Sequence, residues 1–474
     1  MLFSSLIFVF VFFPLQMLCY ALAKSLRVKN FILLGFSLVF YTWGEPLFVV
    51  LLLAMALADW LLTTPMKGAS QKKRKLLLFA ACAFNLIILI VFKYGAFLLE
   101  NLRELTGHPS HIPPALLPIG ISFYTFQLLS YVVDVYRKEV DAPDKFSHLL
   151  LYVSLFHQCV AGPIVRYKDV SDSILERSVS TTDMHNGIRR FSYGLGKKVL
   201  LANVCGSLAD TLLPVGEVSA NVTTLGCWLG MLCFTLYIYL DFSSYSDMAI
   251  GMGLMTGFHY KENFNYPYQS QGIRDFWRRW HISLGSFFRD YVYIPLGGSR
   301  KGEGRTLLNL LVVWGLTGFW HGASWNFVLW GLYFFILILL ERFVIHNLFE
   351  GKPKILYGLY TFIMVYFGWV LFRFHSLAEM GLVFKGLFGL AGAASSFEVN
   401  NLLLSNIFII LLAVLASTAI IKKSGSGLSK AFATGSIQAK TVSLVQTLLP
   451  PAIVVIAALA LVGESYQPFI YFQF

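Results

Sequence analysis

The sequence predicts an all-α polytopic membrane protein, and three observations carry that reading. Of 474 residues, 57% are apolar and only 13% charged. Mean hydropathy is +0.67 over the whole length. Apolar runs near the ~20 residues that cross a ~30 Å hydrocarbon core recur from end to end. Soluble domains sit nearer ~45–50% apolar and ~25% charged, and single cores stop growing at ~250–300 residues. The apolar excess must therefore face lipid. A soluble enzyme, a disordered chain and a disulfide-stapled secreted domain are excluded. The runs lack the alternation of an outer-membrane barrel, so the crossings are helical.

Candidate crossings lie at 2–22, 31–43, 46–63, 76–98, 115–135, 147–161, 188–213, 222–241, 243–257, 306–319, 323–345, 355–374, 402–421 and 446–463. Several are too short to span alone, which implies about 10–12 transmembrane helices plus short re-entrant or interfacial pieces. The first run has no charged segment before it and reads as a retained span. Lys24, Arg27 and Lys29 follow it, and Lys67, Lys72, Lys73, Arg74 and Lys75 follow two segments later. By the positive-inside rule both loops are cytoplasmic. The least membrane-like part, 259–305, carries seven basic residues from Arg274 to Arg305 against three acids, a balance of +4, and is rich in aromatics. That mixture suits short amphipathic helices at the cytoplasmic face. The tail at 464–474 ends with four aromatics and one Ile in six residues, so it is expected to pack into protein. One membrane-embedded domain, 1–474, is the simplest organisation.

The formal charge of +12, from 37 Lys+Arg and 25 Asp+Glu, is explained by cytoplasmic loops and anionic membrane lipids, with no nucleic-acid partner. The six cysteines, Cys19, Cys82, Cys159, Cys205, Cys227 and Cys233, sit in apolar stretches without CxxC spacing. They read as small buried hydrophobes, and no metal site is indicated.

Two of the ten histidines have unusual settings. His321 lies at the junction of two apolar runs, within Trp320-His321-Gly322. His281 follows Trp277-Arg278-Arg279-Trp280 in the basic aromatic window. An ionisable group at membrane depth needs a partner or a wet path and is a functional hypothesis by default. Desolvation favours the neutral imidazole that a general base requires. From spacing alone, a core histidine bonded to a carbonyl is the favoured reading for His321. Asp134, Asp241 and Asp247 fall in or beside apolar runs, where carboxylates are usually paired and fix helices. Arg274, Arg278, Arg279, Arg289, Arg300, Lys301 and Arg305 either pair with phosphate groups or touch lipid headgroups.

Trp320-His321-Gly322 with Trp325-Asn326, preceded by Phe276-Trp277-Arg278-Arg279-Trp280-His281 and Arg289-Asp290-Tyr291, resembles the membrane-bound O-acyltransferases. Within them the chain is similar to the bacterial alginate O-acetylase branch. Supporting stretches are 123–137, 160–167, 241–251, 293–298 and the terminal 469–474, so the likeness covers the whole chain. The resemblance implies a ring of helices around a central tunnel, with His321 as catalytic base and His281 as second histidine. Trp320, Asn326 and Asp241 become supporting candidates, and Arg278, Arg279 and Arg289 candidates for donor phosphates. Asn326 is a candidate for holding the imidazole tautomer. The implied reaction takes acetyl from a cytoplasmic thioester, acetyl-CoA or another acyl thioester, toward a secreted polysaccharide. It implies a bacterial inner-membrane location and an SGNH-type partner outside. In similar systems a C-terminal tyrosine relays the acyl group, which makes Tyr471 a relay candidate; the plainer reading is an aromatic anchor. A thioester is already activated, so no bound cofactor or metal is required. The alternatives are D-alanyl or other acyl transfer to an envelope polymer, and a non-catalytic lipid or polymer transporter or scaffold.

Overall fold

In the computed structural model the residues described are 1–107, 117–219, 221–390, 392–421, 436–463 and 468–470. Every regular element among them is a helix. Seven helical segments of the described residues are long and apolar enough to cross a membrane. They are Val49–Met66, Gln71–Leu105, Thr224–Thr256, Trp325–Leu348, Lys354–Arg373, Phe397–Ala416 and Thr441–Gly463, with Phe8–Leu22 a shorter apolar helix. Leu26–Gly44, Ile121–Arg137 and Glu303–His321 are also helical but fall short in length or apolarity.

The Thr224–Thr256 helix is the central pillar. Its most apolar stretch is 78% buried, against 11–39% for the other six. The sequence predicts a break near residue 242, but the helix runs unbroken for 33 residues. The reason lies in the polar residues at the expected break. Ser244 Oγ donates to the Asp241 carbonyl at 2.6 Å, and Ser246 lies 3.3 Å from the Asn263 amide. Their polarity is absorbed internally, so no turn is needed to reach water. The helix starts where the Thr223 side chain accepts from Gly226 N and stops at Gly257, whose φ of +85° favours glycine.

The Thr181–Gly196 helix packs along this pillar. The contact is made of small residues: a Cβ on Gly187 would lie 2.7 Å from the Gly251 carbonyl, and one on Gly251 2.8 Å from the Gly187 carbonyl. Such stripes let backbones approach where lipid supplies no hydrophobic drive. Past Gly196 the chain winds through a π-helical turn, Lys197–Ala202, which splays two consecutive lysines. Lys197 pairs with Asp247 at 2.5 Å and Lys198 with Asp241 at 2.6 Å. The buried charges of Lys198 and Asp241 are tolerated because they are paired. Outward faces such as Phe79, Phe408 and Leu459 remain exposed on the outer helices, as a lipid-facing surface requires.

The 259–305 stretch folds as two short helices, Ile273–Arg279 and Ile282–Phe288, separated by a sharp turn. The first begins where Glu341, from the Trp325–Leu348 segment, accepts the backbone N–H groups of Ile273 and Arg274. A carboxylate at a helix N-terminus is favoured by the partial positive charge there. The basic helix is thereby tied to the span that follows the His321 corner.

Candidate active site

His321 is the last residue of the Glu303–His321 helix, and Trp325 opens the next one. The two helices form a tight hairpin because glycine faces glycine. A Cβ on Gly318 would strike the Phe327 carbonyl, and one on Gly331 would strike the Trp314 carbonyl. At the corner, Gly322 has an extended backbone that any residue adopts. Its constraint is space, because a Cβ there would run into the Phe327 ring.

The last carbonyls of a helix lack intrahelical partners. Here a neighbouring span supplies them. Lys93 Nζ donates to the Trp320 carbonyl at 2.6 Å and to Ser122 Oγ at 3.0 Å. Tyr94 Oη donates to the Phe319 carbonyl at 2.7 Å. A cation at the negative end of the helix is electrostatically favoured. Lys93 and Tyr94 therefore set the height of the His321 corner. The sequence reading missed both, although a lone lysine inside the apolar run 76–98 was the available signal.

The His321 ring, on a residue 3% exposed, lies among Trp320 (5.0 Å between centroids), Trp330 (4.9 Å) and Phe372 (5.2 Å). The Trp320 indole also packs against His281, with centroids 5.7 Å apart, and against Phe123 at 5.4 Å. One tryptophan thus touches both histidines, 40 positions apart in sequence. His281 itself occupies the left-handed region, φ +46°, an uncommon place for a non-glycine residue. Asn263 holds it there. Its Oδ1 accepts from Ser283 N at 3.1 Å and Ser283 Oγ at 2.9 Å, and lies 3.2 Å from His281 Nδ1. An amide oxygen only accepts, so in this contact Nδ1 carries a proton.

A cavity of about 810 Å³ opens beside His281, within the ~300–1,000 Å³ range of small-molecule sites. Its walls include Trp277, Trp280, Trp314 and Thr317, and its cations are Arg274, Arg278, Arg289 and Arg342. No acidic side chain lines it among the described residues. Trp277 and Trp330 rings, 5.5 Å apart, connect this wall to the His321 ring. Of the arginines singled out from the sequence, Arg274, Arg278 and Arg289 line the cavity. Arg279 does not; its Nε donates to Asp275 at 3.0 Å.

Asn326 binds elsewhere. Its Nδ2 donates to the Leu371 and Phe372 carbonyls at 3.3 and 3.4 Å, and its Oδ1 lies 3.3 Å from His375 Nδ1. These bonds brace the hairpin against the Lys354–Arg373 helix. Asp134 accepts from Tyr291 Oη at 2.7 Å, and Asp290 pairs with Arg166 at 2.8 Å and Arg289 at 2.7 Å. Burial alone would raise the Asp290 carboxyl, but its bonds and charge contacts with Arg289 and Arg166 prevail and hold it below the ordinary carboxylate range. Asp241 is fully buried, with Oδ1 on Lys198 and Oδ2 accepting from Ile470 N at 2.8 Å. Tyr471 lies outside the described residues, as does most of the 464–474 tail.

The profile of the MBOAT, membrane-bound O-acyltransferase family, matches residues 40–384, a span that holds both histidines. The chain is 35% identical to the "Probable alginate O-acetylase AlgI" of Pseudomonas putida over 100% of both chains. It is 32% identical to the "Peptidoglycan O-acetyltransferase" of Helicobacter pylori, covering 83% of this chain and 81% of that one. Identity to the "Teichoic acid D-alanyltransferase" of Bacillus subtilis is 28%, over 54% of this chain and 66% of that one. With a family profile spanning most of its length, and a relative alike from end to end, the chain belongs to the membrane-bound O-acyltransferases and is a multi-pass O-acyltransferase.

Proposed function

We propose that this O-acyltransferase takes acetyl from acetyl-CoA at the cytoplasmic face of the bacterial inner membrane and passes it outward for O-acetylation of a secreted polysaccharide, alginate or a similar exopolysaccharide. Acyl transfer to a polymer is what its relatives' names share: alginate, peptidoglycan and teichoic acid. The acetyl donor is favoured over D-alanyl because the acetylases match a larger share of the chain at higher identity.

The observation that carries the mechanism is the shared Trp320 wall between His321 and His281, beside a cavity whose cations are all arginine. Arginine pairs with phosphates by forked hydrogen bonds, so Arg278 and Arg289, with Arg274 and Arg342, would hold the phosphates of the donor. A neutral His321 takes the proton from an attacking hydroxyl as its oxygen bonds the thioester carbonyl carbon. The carbon–sulfur bond then breaks, and the sulfur leaves as a thiol carrying the proton that His321 took. A positioned base of this kind is worth ~10²–10⁴-fold. His281 holds the acyl carbonyl or the acceptor in place. In the proposed relay the first hydroxyl is that of Tyr471, which then gives acetyl to an SGNH-type partner outside.

Mass spectrometry of the exported polymer tests the reading in cells. Removal of the gene is expected to abolish O-acetyl groups, and the His321→Ala and Tyr471→Phe variants, at wild-type protein levels, are expected to fail to restore them. Full acetylation with His321→Ala would leave only a scaffold role, and normal acetylation with Tyr471→Phe would remove the relay.

A further inference from the structure

Lys198 and Asp241 form a closed ring of contacts around a piece of chain far away in sequence. Asp241 Oδ1 accepts from Lys198 Nζ at 2.6 Å, and Asp241 Oδ2 accepts from the Ile470 backbone N–H at 2.8 Å. Lys198 Nζ also donates to the Pro468 carbonyl at 3.2 Å and sits 4.5 Å above the Phe469 ring. The pair therefore reads both polar groups that flank Phe469, one as donor and one as acceptor. Both charged side chains are buried, at 1% and 0% exposure. Phe469 and Ile470 are buried as well, and the Phe469 ring meets Tyr245 edge-on at 5.1 Å.

A buried ion pair on two packed helices needs no third segment for its own charge balance. Here each partner has one further hydrogen-bonding group aimed at the same three-residue backbone. Lys198 reaches this place through the π-helical turn Lys197–Ala202, a local rewinding of the sort that often marks functional positions.

We propose that Lys198 and Asp241 are a latch that seats residues 468–470 inside the molecule, and that they act as positioning residues for acyl transfer. The proposal rests on the acyltransferase reading for its activity consequence only; the seating itself is independent of it. The latch grips main chain on both sides of Phe469, so it sets the register of the segment, while the Phe469 ring supplies depth. The residue next in sequence is Tyr471.

The test is hydrogen–deuterium exchange of the C-terminal peptide in the purified full-length protein, with acetyl transfer measured on the same samples. Three variants decide it. Lys198→Met removes the donor. The swap of Lys198→Asp with Asp241→Lys restores an ion pair but leaves no acceptor for Ile470 N. Ile470→Pro deletes the N–H and leaves the segments that carry Lys198 and Asp241 untouched. The expected result is at least tenfold faster exchange of the C-terminal peptide in all three, unchanged exchange in the Glu303–His321 helix, and at least tenfold slower transfer. Tail protection and transfer at wild-type level in the swap would reduce the pair to a helix brace and overturn the proposal. Unchanged exchange in Ile470→Pro, or a released tail with full transfer, would do the same. Should Lys198→Met fail to fold, Ile470→Pro carries the decision. His321→Ala is expected to keep the tail protected while losing transfer, which separates failure of the latch from failure of the catalytic reading.

Discussion

At the scale of single residues, the His321 corner is held by groups that share no sequence neighbourhood with it. Lys93 and Tyr94 satisfy the carbonyls of Trp320 and Phe319, so Lys93→Met strands a buried acceptor, at a cost of about 1–3 kcal/mol. A lowered melting temperature and reduced acetyl transfer are expected together; an unchanged melt would show that the Trp320 carbonyl finds another donor. Gly322→Ala tests a different constraint. The added methyl would occupy space held by the Phe327 ring, and Phe327 would push against its neighbour Phe372, which also walls His321. Transfer is therefore expected to fall at least tenfold even where thermal stability drops little, since overpacking shifts neighbours before it unfolds them. Wild-type turnover in Gly322→Ala would mean that the corner tolerates displacement.

Among the elements, the His321 hairpin and the basic short helices show what could be read from sequence and what could not. His281 and His321 stood out because a histidine in an aromatic, apolar setting is costly unless it is used or paired. Their common contact with Trp320 was not legible, because it depends on a left-handed turn at His281 that Asn263 holds from outside the motif. Asn326, five positions past His321 in sequence, bonds the Leu371 and Phe372 carbonyls and lies 3.3 Å from His375 Nδ1, partners that sequence distance does not show. The Asp134, Arg166, Asp290 and Tyr291 cluster joins three of the stretches that carried the family likeness, and it gives a pH prediction. The Asp290 carboxyl is held low in the folded protein, so its contribution to stability is full above the unfolded value of ~3.9 and is lost as pH falls through the folded value. In thermal melts Asp290→Asn is expected to be less stable than wild type at pH 6 and to converge with it under acid. A gap constant with pH would contradict that assignment.

Across the whole molecule, the class of protein was the most legible property, because hydropathy and charge alone require lipid. The break expected inside the Thr224–Thr256 pillar was misplaced for the reason that makes the pillar interesting: its polar residues bind other segments in place of water. Lys198 escaped notice because a lysine pair near basic loops looks like topology, and only the fold brings it to Asp241 and to residues 468–470. The same contacts tie the pillar to residues 468–470, and the proposed chemistry centres on His321. The most direct test of that centre is the single-turnover rate of radiolabelled acetyl-CoA with purified protein and its acceptor, for wild type and His321→Ala. A fall of ~10²–10⁴-fold with unchanged donor binding is expected for the loss of a general base; turnover at the wild-type rate in His321→Ala would contradict the account.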